Sequence, residues 1–220
     1  INDYGPVGVT DTIKTLAENG IDYVGAGHNI ANASYYLAKK INGKKFCFLN
    51  YCETEFSIAT KVSPGANPFD LISAFYEIQK LKEEHDFVFV IYHGGIEYQH
   101  YPTKTMVKDF KFLIDIGADC VISHHTHTYS SISYYKEKPI VYGIGNLFCR
   151  SRHKRLDINW NIGLLAVIEI QNNRIKIDPL PIAHDFDART IRLINGIEKK
   201  KILKHIKELT TKTNSLNYLS

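Results

Sequence analysis

Apolar residues recur along the first half of the chain in two rhythms, a three-to-four-residue spacing and short unbroken runs, and their alternation predicts helices leading into strands. Val9, Ile13 and Leu16 share a face over residues 7–19, and Gly20 stops that helix. Residues 21–24 (Ile-Asp-Tyr-Val) then read as a short buried strand, ended by Gly25-Ala26-Gly27. A second helix is expected over 29–41, and a strand buried on both faces over 45–51. Residues 54–66 are loop-like. Asn67-Pro68-Phe69-Asp70 opens the next helix with asparagine as its cap, and Leu71, Phe75, Ile78 and Leu81 mark its inner face. Residues 87–92 are the most strand-like run, followed by an amphipathic helix over 103–116 and a third apolar run, Cys120-Val121-Ile122. Twice a helix runs into Gly, x, Asp, x, Val, at Gly20-Ile21-Asp22-Tyr23-Val24 and at Gly117-Ala118-Asp119-Cys120-Val121. Repeated β-α-β units of this kind predict an α/β sheet protein.

The pattern changes after residue 127. Residues 129–135 and 139–144 read as strands around Lys136-Glu137-Lys138, and 161–170 and 174–182 as a second antiparallel hairpin around Gln171-Asn172-Asn173. Residues 150–159 are charged and unpatterned, as in a surface loop. A basic helix is expected over 195–209, with a frayed tail beyond it. No linker or low-complexity stretch interrupts residues 1–220, so one domain is expected.

Length and composition narrow this only slightly. The 220 residues, 44% hydrophobic and 23% charged, suit an ordinary globular protein. The net charge of +4 is concentrated near the C-terminus, at Lys199-Lys200-Lys201, Lys204 and Lys207. Without interleaved aromatics this reads as a solvated helix face, not a nucleic-acid patch. Cys47, Cys52, Cys120 and Cys149 form no C-x-x-C pair, which argues against a disulfide framework or a cysteine zinc site and favours a reducing, cytoplasmic compartment. No leader peptide and no apolar run long enough to span a bilayer is visible. The chain opens on Ile1 without methionine, and is expected to be a piece of a longer protein.

Candidate chemistry is concentrated in Ser123-His124-His125-Thr126-His127, directly after an apolar run. On an extended backbone, His125 and His127 would point to one face, as half of a metal site. Two further strand ends offer partners: His93 after residues 87–92, and Gly143-Ile144-Gly145-Asn146 after 139–144. Sheet enzymes place ligands at such C-terminal strand ends. An amidohydrolase barrel also uses H-x-H, but early in the chain. Purely structural histidines are the plain alternative.

Several motifs in order resemble the CapA-like capsule (poly-gamma-glutamate) synthesis proteins of the calcineurin-like metallophosphoesterase superfamily. Asn2-Asp3-Tyr4-Gly5 is similar to the end of that family's N-N-H-x-x-D-x-G, and Gly25-Ala26-Gly27-His28-Asn29 follows it. Tyr92-His93-Gly94-Gly95-Ile96-Glu97-Tyr98 resembles H-W-G-x-E-Y, with Gly94 in place of tryptophan. Gly117-Ala118-Asp119 with Ser123-His124-His125-Thr126-His127 resembles G-A-D and G-H-H-P-H, with Thr126 in place of proline, and Gly145-Asn146-Leu147-Phe148 resembles G-N-F.

The resemblance implies a four-layer α-β-β-α sandwich and a two-metal hydrolase or phosphoesterase centre holding divalent ions such as Mn, Zn or Fe. It makes His93 and His125 ligands of one ion and His127 a ligand of the other. Glu97 and Asn146 become catalytic, substrate-facing or outer residues, and His124 a neighbour that orients a ligand. The family's bridging aspartate, Asn-His pair and first strands lie before its D-x-G segment, outside this chain. The fragment is therefore expected to be inactive, holding one ion weakly, with the site completed only in the longer protein. Expected partners are an anionic polymer or phosphoester substrate and membrane synthase components. The alternative function is a non-catalytic module that binds or helps export an anionic polymer, for which Arg150, Arg152, Lys154 and Arg155 would supply cations.

Overall fold

Residues 4–54, 57–150 and 160–215 are described by a computed structural model, in which the chain gathers into two units, Ile1–His93 with Asp115–Asp119 and Gly94–Ile114 with Cys120–Ser220. Asn2 and Asp3 of the first motif, the basic residues Arg152, Lys154 and Arg155, and the last five residues of the tail lie outside the described residues.

The first unit begins with α1 (Gly5–Glu18), which has Pro6 in its first turn and buries Val9 and Ile13. The strand expected over 21–24 does not form. Ile21 and Tyr23 are 54% and 41% exposed, so this run has no core face to bury. The extended pairing starts two residues later, where β1 (Ala26–Gly27) meets β4 (Gly65–Ala66). The helix expected over 29–41 shrinks to α2 (Ile30–Ala33), capped by Asn29, and the chain turns into β2 (Leu37–Ile41). The reason is Asn42-Gly43. Both take positive φ, 50° and 82°, the conformation of a type I′ hairpin turn, so β2 folds back on β3 (Lys44–Cys52).

β3 pairs in parallel with β5 (Phe87–His93) through α3 (Leu71–Glu84), a β-α-β unit as expected. Phe46 stacks on Phe87 at 5.2 Å and Phe48 on Phe89 at 5.4 Å, cross-strand pairs that fix the register. The cap of α3 is Asp70, whose carboxylate accepts the Ser73 N–H at 2.8 Å, and not Asn67. Asn67 is buried and donates to the Asn50 carbonyl. The helix buries Ala74, Ile78 and Leu81, while Leu71 turns outward.

Glu77, on the same helix, accepts a 2.6 Å hydrogen bond from the Tyr51 hydroxyl. Burial raises the Glu77 carboxyl above its ordinary value, with the Tyr51 bond pulling the other way. A raised carboxyl favours its neutral form in the folded state, so its stabilising contribution is present below the ordinary carboxylate value and is lost as pH rises through the folded one. Glu77→Gln is therefore expected to gain stability over wild type as pH goes from acidic to neutral. Denaturant midpoints of both proteins check this, and an offset independent of pH would refute it.

The second unit is built from α4 (Lys104–Asp115), β6 (Cys120–His124), β7 (Ile132–Tyr135), β8 (Lys138–Val141), β9 (Ile162–Gln171), β10 (Arg174–Asp185), β11 (Thr190–Leu193) and α5 (Gly196–Ser215). β6 runs parallel to β8, which pairs with β7 around Lys136-Glu137, and β9 and β10 form the expected hairpin around Asn172-Asn173. β11, not foreseen, extends that sheet. α4 buries Met106, Val107, Phe110, Leu113 and Ile114, and Phe110 stacks on Tyr142 at 5.6 Å. α5 runs one and a half turns further than expected. Ile202, Ile206 and Leu209 pack into one cluster with Tyr129, Ile162, Leu164, Ala183 and Ile194. Lys200, Lys201, Lys204 and Lys207 occupy the exposed side, the solvated face expected. The protein is thus a mixed α/β fold. No helix among the described residues is long and apolar enough to cross a membrane.

Candidate metal centre

β6 ends at His124, so His125 and His127 do not lie on an extended strand. Both occupy left-handed backbone, with φ of 97° and 59°. Their convergence comes from a strained turn, not from strand alternation, and such non-glycine strain persists only where the surrounding structure enforces it. Here the enforcement is visible. Gly94 N–H donates to the His124 carbonyl at 3.2 Å and Tyr98 N–H to the Thr126 carbonyl at 2.8 Å, tying the loop after β5 to the turn after β6. Thr126 is buried and donates to the Thr128 carbonyl at 3.1 Å. Gly143 leaves the space this needs, since a Cβ there would stand 2.9 Å from the Thr128 oxygen.

The loop so tied carries Glu97. One ligand atom from each of Glu97, His125 and His127 lies within 4.8 Å of the others. Ligands about 2.0–2.2 Å from one ion stand at most about 4.4 Å apart, so the group closes with side-chain shifts of less than an ångström. Two imidazoles and a carboxylate are a donor set that zinc, manganese and iron all accept. Glu97 is exposed and the two imidazoles are half-buried, which leaves an approach from solvent.

His127 is held from two sides. Its Nδ1 lies 2.7 Å from Asn146 Oδ1, and Asn146 Nδ2 donates to the Trp160 carbonyl at 2.9 Å. That second bond fixes which end of the amide faces the ring. The amide oxygen then accepts from Nδ1–H, and the Nε2 lone pair is left for a metal. Trp160 also stacks on the His127 ring at 4.6 Å, and Tyr98 flanks both. Asn146 itself is seated by a close backbone approach: a Cβ on Gly163 would come within 2.1 Å of the Asn146 carbonyl oxygen.

His124 is half-buried beside the group. Burial first, then the neighbouring His125 and His127, push it down to about 4, so it stays neutral. The Tyr98 phenol is held above its ordinary value by burial and by the charge and hydrogen bond of Glu97. His93 belongs to the first unit, at the end of β5, with its carbonyl accepting from Glu53 N–H. Of the residues expected from the sequence, Glu97, His125, His127 and Asn146 therefore come together in the second unit. Trp160 was not foreseen, because a lone tryptophan beside an unpatterned loop gives no positional signal.

Residues 1–151 match the model of a bacterial capsule synthesis protein family, PGA_cap. The chain belongs to this family. A capsule biosynthesis protein CapA of Bacillus anthracis is 34% identical over 152 residues, covering 66% of this chain and 37% of the relative. A PGA biosynthesis protein CapA of Bacillus subtilis is 31% identical over 221 residues, covering 96% of this chain and 55% of the relative. A probable polyglutamine synthesis accessory protein of Mycobacterium tuberculosis is 28% identical over 162 residues, covering 67% of this chain and 42% of its own. The chain thus spans about half or less of the length of these family members. All the residues grouped above except Trp160 lie within the family-matched segment.

Proposed function

We propose that this chain carries part of a divalent-metal hydrolase centre of a capsule-synthesis protein, acting on a phosphoester or on an amide of an anionic polymer. The observation that carries the reading is the convergence of Glu97, His125 and His127 to within 4.8 Å, with His127 oriented by Asn146. Glu97 and His125 supply two donors and His127 the third. A divalent ion held there would activate water and polarise the attacked oxygen. Asn146 keeps His127 in the tautomer that can ligate, and Tyr98 holds the Glu97 carboxylate through its hydroxyl. The finer fold, a four-layer α-β-β-α sandwich with a second ion completed by residues of the longer protein, belongs to the same proposal, as does action alongside polymer-synthesis machinery.

A second reading is a non-catalytic polymer-handling module, favoured by the description of the mycobacterial relative as an accessory protein. One experiment separates the two. Metal content and hydrolysis of a generic phosphodiester and of an oligoglutamate are measured for the full-length protein, for Glu97→Gln and for His93→Ala, the latter because the family motif gives it a ligand role. The expected result is metal-dependent turnover that falls at least tenfold in Glu97→Gln. Turnover unchanged by the substitution, or no turnover at any metal loading, overturns the hydrolase reading.

A further inference from the structure

Trp160 stands just before β9, beyond the family-matched residues 1–151, and is the only tryptophan of the chain. Its half-buried indole lies on the His127 ring at 4.6 Å, with the two planes 28° apart. Tyr98 stands 6.1 Å from His127 and 5.8 Å from Trp160. A ring sandwiched between two others would hold those two much farther apart. The three rings therefore form a triangle, and the indole is the nearer cover of His127.

A metal ligand must aim its lone pair at the ion, which constrains the plane of the imidazole as well as its tautomer. The contact with Asn146 holds one atom of the His127 ring, Nδ1. The outer torsion of a histidine side chain is broad and soft, so a single contact at Nδ1 leaves the plane free to tilt about it. A flat indole supplies the missing restraint. Tilting the imidazole would drive its edge into the indole face.

The indole is itself anchored. Its Nε1–H donates to the Cys149 carbonyl at 3.1 Å. The Nε2 of His184, a buried residue of β10, lies 2.9 Å from the same carbonyl and ties it to the sheet. The Trp160 carbonyl accepts from Asn146 Nδ2 at 2.9 Å. Trp160 thus grips residues 146 and 149 with its backbone and its ring nitrogen, and presents the ring face to His127.

We propose that Trp160 is a positioning residue of the metal centre: its indole sets the plane of the His127 ring, while its carbonyl, through Asn146, sets the tautomer. The orientation of a histidine inside the family-matched segment is then decided by a residue outside it. This rests on the metal reading for its purpose, but the hold on the ring needs no metal. Because the carbonyl is backbone, substituting Trp160 removes the indole and leaves the Asn146 bond in place.

The test uses full-length protein carrying isotope-labelled histidine, first with a chelator present. The His127 signals are identified by their loss in His127→Ala. Wild type is expected to show a slowly exchanging Nδ1–H and ring protons shifted upfield by the covering indole. Trp160→Leu should lose the protected Nδ1–H to fast exchange, and Trp160→Phe, which keeps a ring face, should retain it. With zinc added against a chromophoric chelator, Trp160→Leu should bind at least about tenfold more weakly than wild type, at the lower end of the range for an outer partner, and Trp160→Phe less than about threefold more weakly. An Nδ1–H equally protected in Trp160→Leu, or zinc bound equally by it and by wild type, overturns the inference and leaves the metal reading standing. A ring ordered in wild type and loosened in Trp160→Leu, with zinc bound by neither, supports the positioning role and sinks the metal reading. Amide spectra check the fold of each variant. If Trp160→Leu does not fold, the wild-type spectrum decides: His127 ring protons without the upfield shift, or an unprotected Nδ1–H, overturn the inference.

Discussion

Replacing Asp119 by alanine should destabilise the protein by about 1–3 kcal/mol, the loss expected when a buried donor is left without its acceptor, and less than for a fully buried ion pair because the Lys82 side chain is 35% exposed. Asp119 is 7% exposed, and its Oδ2 is held by Lys82 Nζ at 2.6 Å and by the Val88 N–H at 2.9 Å. Lys82 in turn donates to the Asp86 carbonyl at 2.8 Å, and Asp119 N–H to the Val88 carbonyl at 2.7 Å. One carboxylate thus fastens the end of α3 to the start of β5. Its removal takes one partner from the partly exposed Lys82 ammonium and leaves the buried Val88 N–H without its acceptor. Asp22 occupies the equivalent position of the other Gly-x-Asp-x-Val segment, yet its bond to Lys39 joins side chains 53% and 44% exposed. Asp22→Ala is expected to stay within about 0.5 kcal/mol of wild type. Denaturant midpoints of the two variants check both statements. A loss below about 1 kcal/mol at Asp119 would mean the ion pair does not fasten these elements.

His127→Ala should reduce divalent-metal affinity by more than the 10–100-fold typical of losing an outer-shell partner. Asn146→Ala supplies the comparison. It keeps all three donors and removes only the bond that sets the His127 tautomer, so it should fall within that 10–100-fold range. Trp160 fluorescence offers a second readout, since its ring lies 4.6 Å from the His127 ring and should respond to metal in wild type and not in His127→Ala. Metal binding that is equal in wild type and His127→Ala would remove His127 from the donor set. A larger loss in Asn146→Ala than in His127→Ala would place the primary role on the amide.

Two left-handed residues explain why the histidine pair was legible in composition but not in geometry. The H-x-H spacing implies convergence on a strand, whereas His125 and His127 converge through positive φ after the strand has ended. Such backbone is imposed by the bonds from Gly94 and Tyr98 and by the space at Gly143, contacts between residues 15 to 30 positions apart that no local pattern encodes. The short β2 strand is the opposite case. Asn42-Gly43 is a strong local hairpin signal, and it outweighs the helical spacing of 29–41, placing β2 against β3, the strand already expected over 45–51.

By itself the sequence determined the alternation of strands and helices from β3 and α3 to β6, both later hairpins, the basic outer face of α5, and the family, because these rest on apolar period, turn chemistry and ordered motifs. Tertiary structure alone decided which of two matching Gly-x-Asp-x-Val segments becomes a buried tie, which carboxylate joins His125 and His127, and that Trp160 stacks on the His127 ring. Each of these depends on burial and on contacts between distant segments, and neither property is written in the residue types of any one stretch.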